Sequence, residues 1–211
     1  MSTTTTRRRI TAAAAAVVVA ALALAGCSSS NDSLSKQYGS GTTQNYISGT
    51  GAVTEVAADD RGDPVSFDVE AIDGTKLSSD ALKGDVVVLN FWYAGCPPCR
   101  AEAGYLNKVA SEYQGDDVRF IGVNVRDEQG TAEAFERTFD VEYPTVLDAK
   151  DGTMQLALSG QIAPNAVPAT IVLDTQGRVA ARVLGAVDGP SILKTLVADE
   201  LDAGSSGSKA S

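Results

Sequence analysis

Histidine is absent from all 211 residues, and that absence narrows the chemistry first. A Cys–His nucleophilic pair cannot be assembled without it. Structural zinc sites usually gather four Cys or His ligands. The chain has three cysteines, with Cys27 remote in sequence from the other two, so only two ligands could be brought together and no metal site is expected. Positive charge is scarce as well. The 17 Lys and Arg stand against 27 Asp and Glu, a formal net charge of −10, which argues against nucleic acid as a partner and against a polybasic membrane patch. The leading apolar run, Ala12–Ala25, has 14 residues, short of the roughly 20 that a membrane-crossing helix needs. What is present suffices for a core, 44% apolar against 21% charged, and the length suits one ordinary domain with appendages.

The appendages come first. Arg7-Arg8-Arg9 precede the apolar run, which ends in Leu24-Ala25-Gly26-Cys27, the order expected of a targeting segment rather than of folded structure. Leu24–Cys27 resembles the lipobox of bacterial lipoproteins. That resemblance implies a signal peptide over residues 1–26 and a lipid on the thiol of Cys27. It also implies a protein anchored to the cell membrane on its extracytoplasmic side, where disulfides persist. A weaker likeness to a twin-arginine signal lies in Thr6–Ile10. Residues 27–57 hold Cys27 and a Ser-, Gly-, Thr- and Asn-rich stretch, read as a flexible tether with an r.m.s. reach of about 30 Å. A folded domain is expected over 58–202, followed by a frayed small-residue tail at 203–211.

Within the domain, Val65–Glu70 alternates like a strand. Asp73-Gly74 signals a hairpin turn before Lys76-Leu77, and Ser78 or Ser79 suits the cap of the short turn ending at Lys83-Gly84. Val86–Trp92 is apolar on both alternating sets, as in a central strand buried on both faces. A helix is expected over Arg100–Gln114, with Pro97 and Pro98 in its first turn, where a missing N–H costs least. Val118–Val125 reads as a second core strand. Thr131–Phe139 reads as a helix capped by Thr131, with Ala134, Phe135, Thr138 and Phe139 facing inward. Tyr143–Leu147 is extended, Met154–Leu158 a brief helix, 169–174 and 178–184 a hairpin, and Pro190–Leu201 a last helix. The order predicts an α/β fold with a mixed central sheet flanked by helices.

Cys96-Pro97-Pro98-Cys99 follows the Val86–Trp92 strand directly. Two thiols at this spacing can close a small disulfide, and a helix starting there stabilises the thiolate of the first. As an inert staple the bridge would contribute little, because closing so short a loop removes little entropy from the unfolded chain. A redox-active dithiol is the favoured reading, with an inert bridge or free thiols as the alternatives. Cys96, expected to be exposed at the helix start, is the proposed nucleophile, and Cys99 resolves the mixed disulfide. Because both intervening residues are proline, two N–H donors are missing beside the sulfur. This favours a reducing couple over a strongly oxidising one.

The stretch Asn90–Glu102 resembles the strand–Cys-x-x-Cys–helix signature of the TlpA/ResA-like membrane-tethered thiol-disulfide oxidoreductases, which have the thioredoxin fold. Val167-Pro168-Ala169-Thr170 is similar to the loop that carries a cis-proline in that fold. Gly122–Val125 and the helical stretch before Tyr143-Pro144 resemble the insertion typical of the group. The resemblance implies an N-terminal hairpin extension before the core, and catalytic roles for Cys96, Cys99 and Glu102. Glu102 would take up the proton of the resolving thiol, since Asn90 stands where cytosolic thioredoxins carry a buried acid. A substrate-facing set of Trp92, Pro97, Pro98, Val167 and Pro168 is implied too, with Trp92 contributing packing rather than catalysis. No cofactor is expected beyond the Cys96–Cys99 disulfide. This chain departs from the group at Gly95, where Trp is common, at Ala103-Gly104, where a proline is common, and at Ala169, where the group often has Thr. Gly104 is expected to mark a bend.

By resemblance the partners are protein disulfides of the cell envelope, apocytochrome c among them, with a membrane thiol carrier as electron donor and the protein itself a monomer. The alternatives are a disulfide-forming oxidant of secreted proteins and a lipoprotein that uses the fold only for binding. A peroxiredoxin is disfavoured, because Leu89 and Tyr93 stand where its motif needs Pro and Thr or Ser.

Overall fold

The computed structural model describes residues 51–163 and 166–208. The expected signal peptide, Cys27 and the tether up to residue 50 lie outside the described residues, as do 209–211. Its strands are β1 Ala52–Glu55, β2 Asp68–Glu70, β3 Lys76–Ser78, β4 Val86–Trp92, β5 Val118–Asn124, β6 Thr145–Leu147, β7 Ala169–Leu173 and β8 Val179–Leu184. Its α-helices are α1 Pro97–Glu112, α2 Gln129–Phe139, α3 Thr153–Ala157 and α4 Pro190–Ser208. A 3-10 turn, Ala58–Asp60, follows β1.

Six strands form one mixed sheet in the order β1-β8-β7-β4-β5-β6. β4, β5 and β6 run parallel, while β7, β8 and β1 add antiparallel neighbours. β4 is central and buried at every position, which is why its sequence is a continuous apolar run. Alternation sends Val87, Leu89 and Phe91 to one face, into a cluster with Phe67, Leu77, Met154 and Leu158. Val86 and Val88 face the other side, where Leu106 and Val109 of α1 and Leu193 and Val197 of α4 cover them. Burying each such side chain contributes about 1.5–3 kcal/mol of transfer free energy. Asn90 falls on this second, helix-covered face, and its polarity there has to be explained by the site.

The hairpin β2–β3 stands apart as a two-stranded sheet, turned at Gly74 with φ 84. The crossover from β5 through α2 to parallel β6 corresponds to the expected insertion. Several boundaries differ from the sequence reading. β1 pairs with β8 inside the stretch read as tether, and all four of its side chains are exposed, so hydrophobic patterning could not show it. Only Asp68–Glu70 of the expected Val65–Glu70 strand is paired. α2 begins at Gln129 with Glu128 as its cap, and Ala132 and Phe135 are its buried residues, whereas Ala134 and Thr138 are exposed. α4 continues past Leu201 to Ser208, and α1 runs unbroken through Gly104. Gly204 lies so close to the β7–β8 turn that a Cβ there would be 2.7 Å from Thr175 Cγ2. Small residues let the last helix pack there, and they are what made it look like a tail.

Candidate active site

β4 stops at Trp92, and Tyr93, Ala94 and Gly95 turn the chain into α1. Cys96 is the N-cap, with an extended backbone, and its Sγ accepts a hydrogen bond from Cys99 N at 3.2 Å. Pro97 and Pro98 supply no N–H, so the first free donor of the helix is the one aimed at this sulfur. Cys96 and Cys99 are joined in a disulfide, with Cα atoms 5.3 Å apart.

Neither sulfur stands open to solvent. Cys96 is 0% and Cys99 2% exposed, in a cluster with Trp92, Tyr93, Ala103, Ala132, Phe135 and Val167. The expectation of an exposed Cys96 is therefore corrected: the helix start is tucked under a rim that sequence spacing does not show. That rim is tied down from the next strand. Asp127 Oδ2 accepts from Ala94 N at 2.6 Å and from Asn124 Nδ2 at 2.9 Å, while Asn124 Oδ1 accepts from the backbone N–H groups of Arg126 and Asp127. The Arg126 guanidinium lies 4.0 Å from the centre of the Tyr93 ring. A Cβ on Gly95 would come within 3.4 Å of Tyr93 Cε2, so this ring occupies space beside the position where the group carries Trp. Sequence reading missed Asn124, Arg126 and Asp127. A signal was available: β4 and β5 are parallel neighbours, so polar residues after one strand meet the loop after the other.

Glu102 is 1% exposed, one helical turn beyond Cys99. Its Oε1 accepts from Asn90 Nδ2 at 3.0 Å and its Oε2 from Val187 N at 2.8 Å. Asn90 also donates to Thr170 Oγ1 at 3.2 Å, which accounts for an amide on the helix-covered face of β4. Burial pushes the Glu102 carboxyl up to about 7, and the two donors only partly offset it. A carboxyl so placed exchanges a proton near neutral pH.

Of the implied substrate-facing set, Pro97 is exposed and Pro98 half-buried at the helix start. Trp92 is 3% exposed and stacks on Phe135 with ring centres 4.2 Å apart, so it is a wall of the interior rather than an open contact surface. Val167 and Pro168 are buried, the peptide between them is cis, and Val167 belongs to the cluster around the cysteines. Among the described residues no group of His, Cys, Asp or Glu is arranged to hold a metal, and no helix is long and apolar enough to cross a membrane.

A mixed sheet with a Cys-x-x-Cys disulfide at the helix start after its central strand, opposite a cis-proline loop, defines a thioredoxin-fold dithiol protein. The family model that matches residues 57–197 is Redoxin, and the chain belongs to that family. It is similar to the thiol-disulfide oxidoreductase ResA of Bacillus cereus, 28% identical over 120 residues, which are 57% of this chain and 66% of the relative. The match thus spans just under two thirds of that relative. Among solved structures it is similar to a DsbF homologue from Corynebacterium diphtheriae, at 30% identity and TM-score 0.62, covering 73% of this chain and 98% of that one. A secreted thiol-disulfide isomerase from Corynebacterium glutamicum matches at 27% identity and TM-score 0.65, covering 74% and 96%.

Proposed function

We propose that this protein is a thiol-disulfide oxidoreductase that exchanges disulfides through Cys96 and Cys99. The Cys96–Cys99 disulfide at the N-terminus of α1, with the buried Glu102 one turn beyond it, carries this reading. In the reduced protein Cys96, stabilised by the helix terminus and the Cys99 N–H, attacks a partner disulfide. Cys99 then gives its proton to Glu102 and attacks Cys96 Sγ; the internal disulfide forms and the partner leaves reduced. Because the rim closes over the oxidised pair, Tyr93 and its neighbours must shift before a second thiolate can enter.

The donor count supports a reducing direction. With prolines at both intervening positions a single N–H reaches Cys96 Sγ, so the thiolate gains less than in a strong oxidant. The couple acts as a reductant of envelope disulfides, apocytochrome c among its clients, working as a monomer outside the cytoplasm. It is held at the membrane by a lipid on Cys27 and re-reduced by a membrane thiol carrier. ResA homologues and the leader sequence support this setting.

Equilibration of the full chain with defined thiol buffers tests the direction. A potential near about −270 mV fits a reductant, and one near about −120 mV would reverse the assignment. Cys99→Ser should trap clients as mixed disulfides that disappear in a Cys96→Ser, Cys99→Ser double variant. A Cys96→Ser protein that supports full biological function would instead establish the binding-only alternative.

A further inference from the structure

On the helix-covered face of the sheet, the pairs that join β4 to β7 change character within one step. Val88 lies opposite Val172, both buried and apolar. The next pair on this face, toward Cys96, is Asn90 opposite Thr170, 3% and 0% exposed. Valine would fit here as well as threonine by shape, and a buried hydroxyl costs free energy unless it is hydrogen-bonded. β8 places Val183 on the other flank of Thr170, so the polar partner across the sheet is Asn90, whose Nδ2 donates to Thr170 Oγ1 at 3.2 Å. The same Nδ2 donates to Glu102 Oε1 at 3.0 Å, while Val187 N donates to Oε2 at 2.8 Å. Thr170, Asn90 and Glu102 thus form one continuous hydrogen-bonded chain, buried throughout, in which both N–H bonds of the amide are used.

We propose that Thr170 is a positioning residue for the resolving step, holding the Asn90 amide with its N–H side toward Glu102. The inference rests on the exchange chemistry proposed above and names what keeps its proton acceptor ready. The two ends of an amide suit different partners: the N–H side favours a carboxylate, the oxygen side a protonated carboxyl. By accepting one N–H, Thr170 Oγ1 fixes the other on Glu102 Oε1. Glu102 is then ionised in time to take the S–H proton of Cys99. As Cys99 Sγ attacks Cys96 Sγ, the Cys96–Cys99 bond forms and the partner sulfur leaves with the electron pair of the broken bond. Without the hydroxyl the amide can turn its Oδ1 to Glu102, where only the protonated acid donates to it. The titratable groups set around Glu102 among the described residues are Cys99 on its own helix and Tyr143 ahead of β6, whose ionisation the Glu102 charge raises. β4, β7 and the loop between β8 and α4 bring it the neutral groups of Asn90, Thr170 and Val187. Asp188, next in that loop, is exposed, and Lys194 of α4 pairs with Glu112 at the far end of α1. A shift in the Glu102 titration therefore reports its hydrogen bonds.

Two variants separate the hydroxyl from the packing. Thr170→Val keeps the shape and loses the oxygen; Thr170→Ser keeps the oxygen and loses a methyl. The first measurement is the infrared carboxyl absorption of the oxidised full chain, titrated with pH, minus that of the same chain carrying Glu102→Gln. It reads the Glu102 proton without any exchange reaction. The midpoint, about 7 in the wild type, should rise by about one unit in Thr170→Val and stay at the wild-type value in Thr170→Ser. The second measurement follows the reduced full chain with an aromatic disulfide that releases a coloured thiolate twice, first on attack by Cys96 and then on resolution by Cys99. Thr170→Val should leave the first release unchanged and slow the second about fivefold at pH 7, with the lost rate regained about one unit higher in pH. In a Glu102→Gln background it should have no further effect. An unmoved midpoint in Thr170→Val, an equal shift in Thr170→Ser, or a shifted midpoint with an unshifted second release overturns the proposal. Cys96→Ser separates this failure from that of the chemistry beneath it. Loss of both releases keeps the exchange reading, so an unmoved Thr170→Val then sinks the positioning role alone; persistence of both releases sinks the two together.

Discussion

Glu102 and Asp174 are both buried carboxylates, and they behave in opposite ways. Glu102 meets Asn90 near the C-terminal end of β4. Asp174 follows Leu173, which pairs with Val87 at the other end of that strand. Burial raises the ionisation of each. At Glu102 two neutral donors fail to compensate, and the carboxyl stays at about 7. At Asp174 burial is the largest single influence, yet the Arg178 and Gln176 N–H groups and the Arg61 and Arg178 guanidiniums together outweigh it and hold the carboxyl below its usual range. Arg61 also forks onto both oxygens of Glu200, at 2.7 Å each, joining the segment after β1 to α4. The same physics of desolvation therefore builds a charged clamp at one end of the sheet and a proton-exchanging group at the other. What differs is whether a guanidinium is present.

Removing the clamp's acid should have the largest effect on stability. Asp174→Ala leaves Arg61 and Arg178 without their shared acceptor, where Asp174 and Arg61 are about nine-tenths buried and Arg178 about three-quarters, and should cost about 3–5 kcal/mol in denaturant unfolding. A loss under about 1 kcal/mol would show that the cluster is effectively solvated and the contrast between the two ends is empty. Glu102→Gln should act through pH instead. The folded carboxyl at about 7 binds its proton more tightly than the unfolded one near 4.5. Its contribution to stability is therefore complete below about pH 4.5 and is lost as pH rises through 7, by up to about 3 kcal/mol at 1.36 kcal/mol per unit. Asp174 has the reverse sign: its contribution is present above the unfolded value and lost as pH falls through its lowered folded value. Subtracting the Glu102→Gln profile from wild type should leave a fall between pH 4.5 and 7; a flat difference sinks the assignment.

A third comparison sets the closed rim over Cys96 against the exposed Pro97 beside it. Asp127→Ala removes the acceptor of Ala94 N and frees Asn124 Nδ2. It should admit thiols faster to the oxidised pair, by several-fold in the rate of reduction by dithiothreitol, at a cost of about 1 kcal/mol in stability. An unchanged reduction rate would mean that the rim is not what excludes the reagent.

These contrasts were unevenly legible in the sequence. The continuous apolar run at Val86–Trp92 and the Cys-Pro-Pro-Cys spacing located the central strand and the dithiol, because both depend on neighbours in sequence. Glu102 could be singled out by its position one turn after Cys99, although its burial could not. The closure over Cys96 was misread, because it depends on Asp127 and Arg126, about thirty residues away and brought near only when β5 pairs with β4. The clamp was invisible for the same reason: Arg61, Asp174 and Glu200 are isolated charges until the chain is folded. β1 carries no inward-facing apolar residue, and its presence is set by edge pairing with β8 alone. Local periodicity reports the core; polar contacts between distant segments are written in no local pattern.

The smallest expected effect concerns how tightly each end is packed, and two helical glycines measure it. Gly104 in α1 has nothing within 4 Å of where a Cβ would stand, so Gly104→Ala adds helix propensity without a clash and should stabilise by about 0.5–1 kcal/mol. Gly204 in α4 would place its Cβ 2.7 Å from Thr175 Cγ2 and 3.6 Å from Thr175 Cβ, against the turn that carries Asp174. The propensity gain is the same, but Thr175 must move, so Gly204→Ala should yield no gain or a loss of about 1 kcal/mol. Equal stabilisation by both substitutions, measured by thermal unfolding, would mean that the clamp end yields as readily as the exposed face of α1. Opposite signs would show that the tight end of the sheet is the one without chemistry, which leaves the slack to the end where a rim has to open.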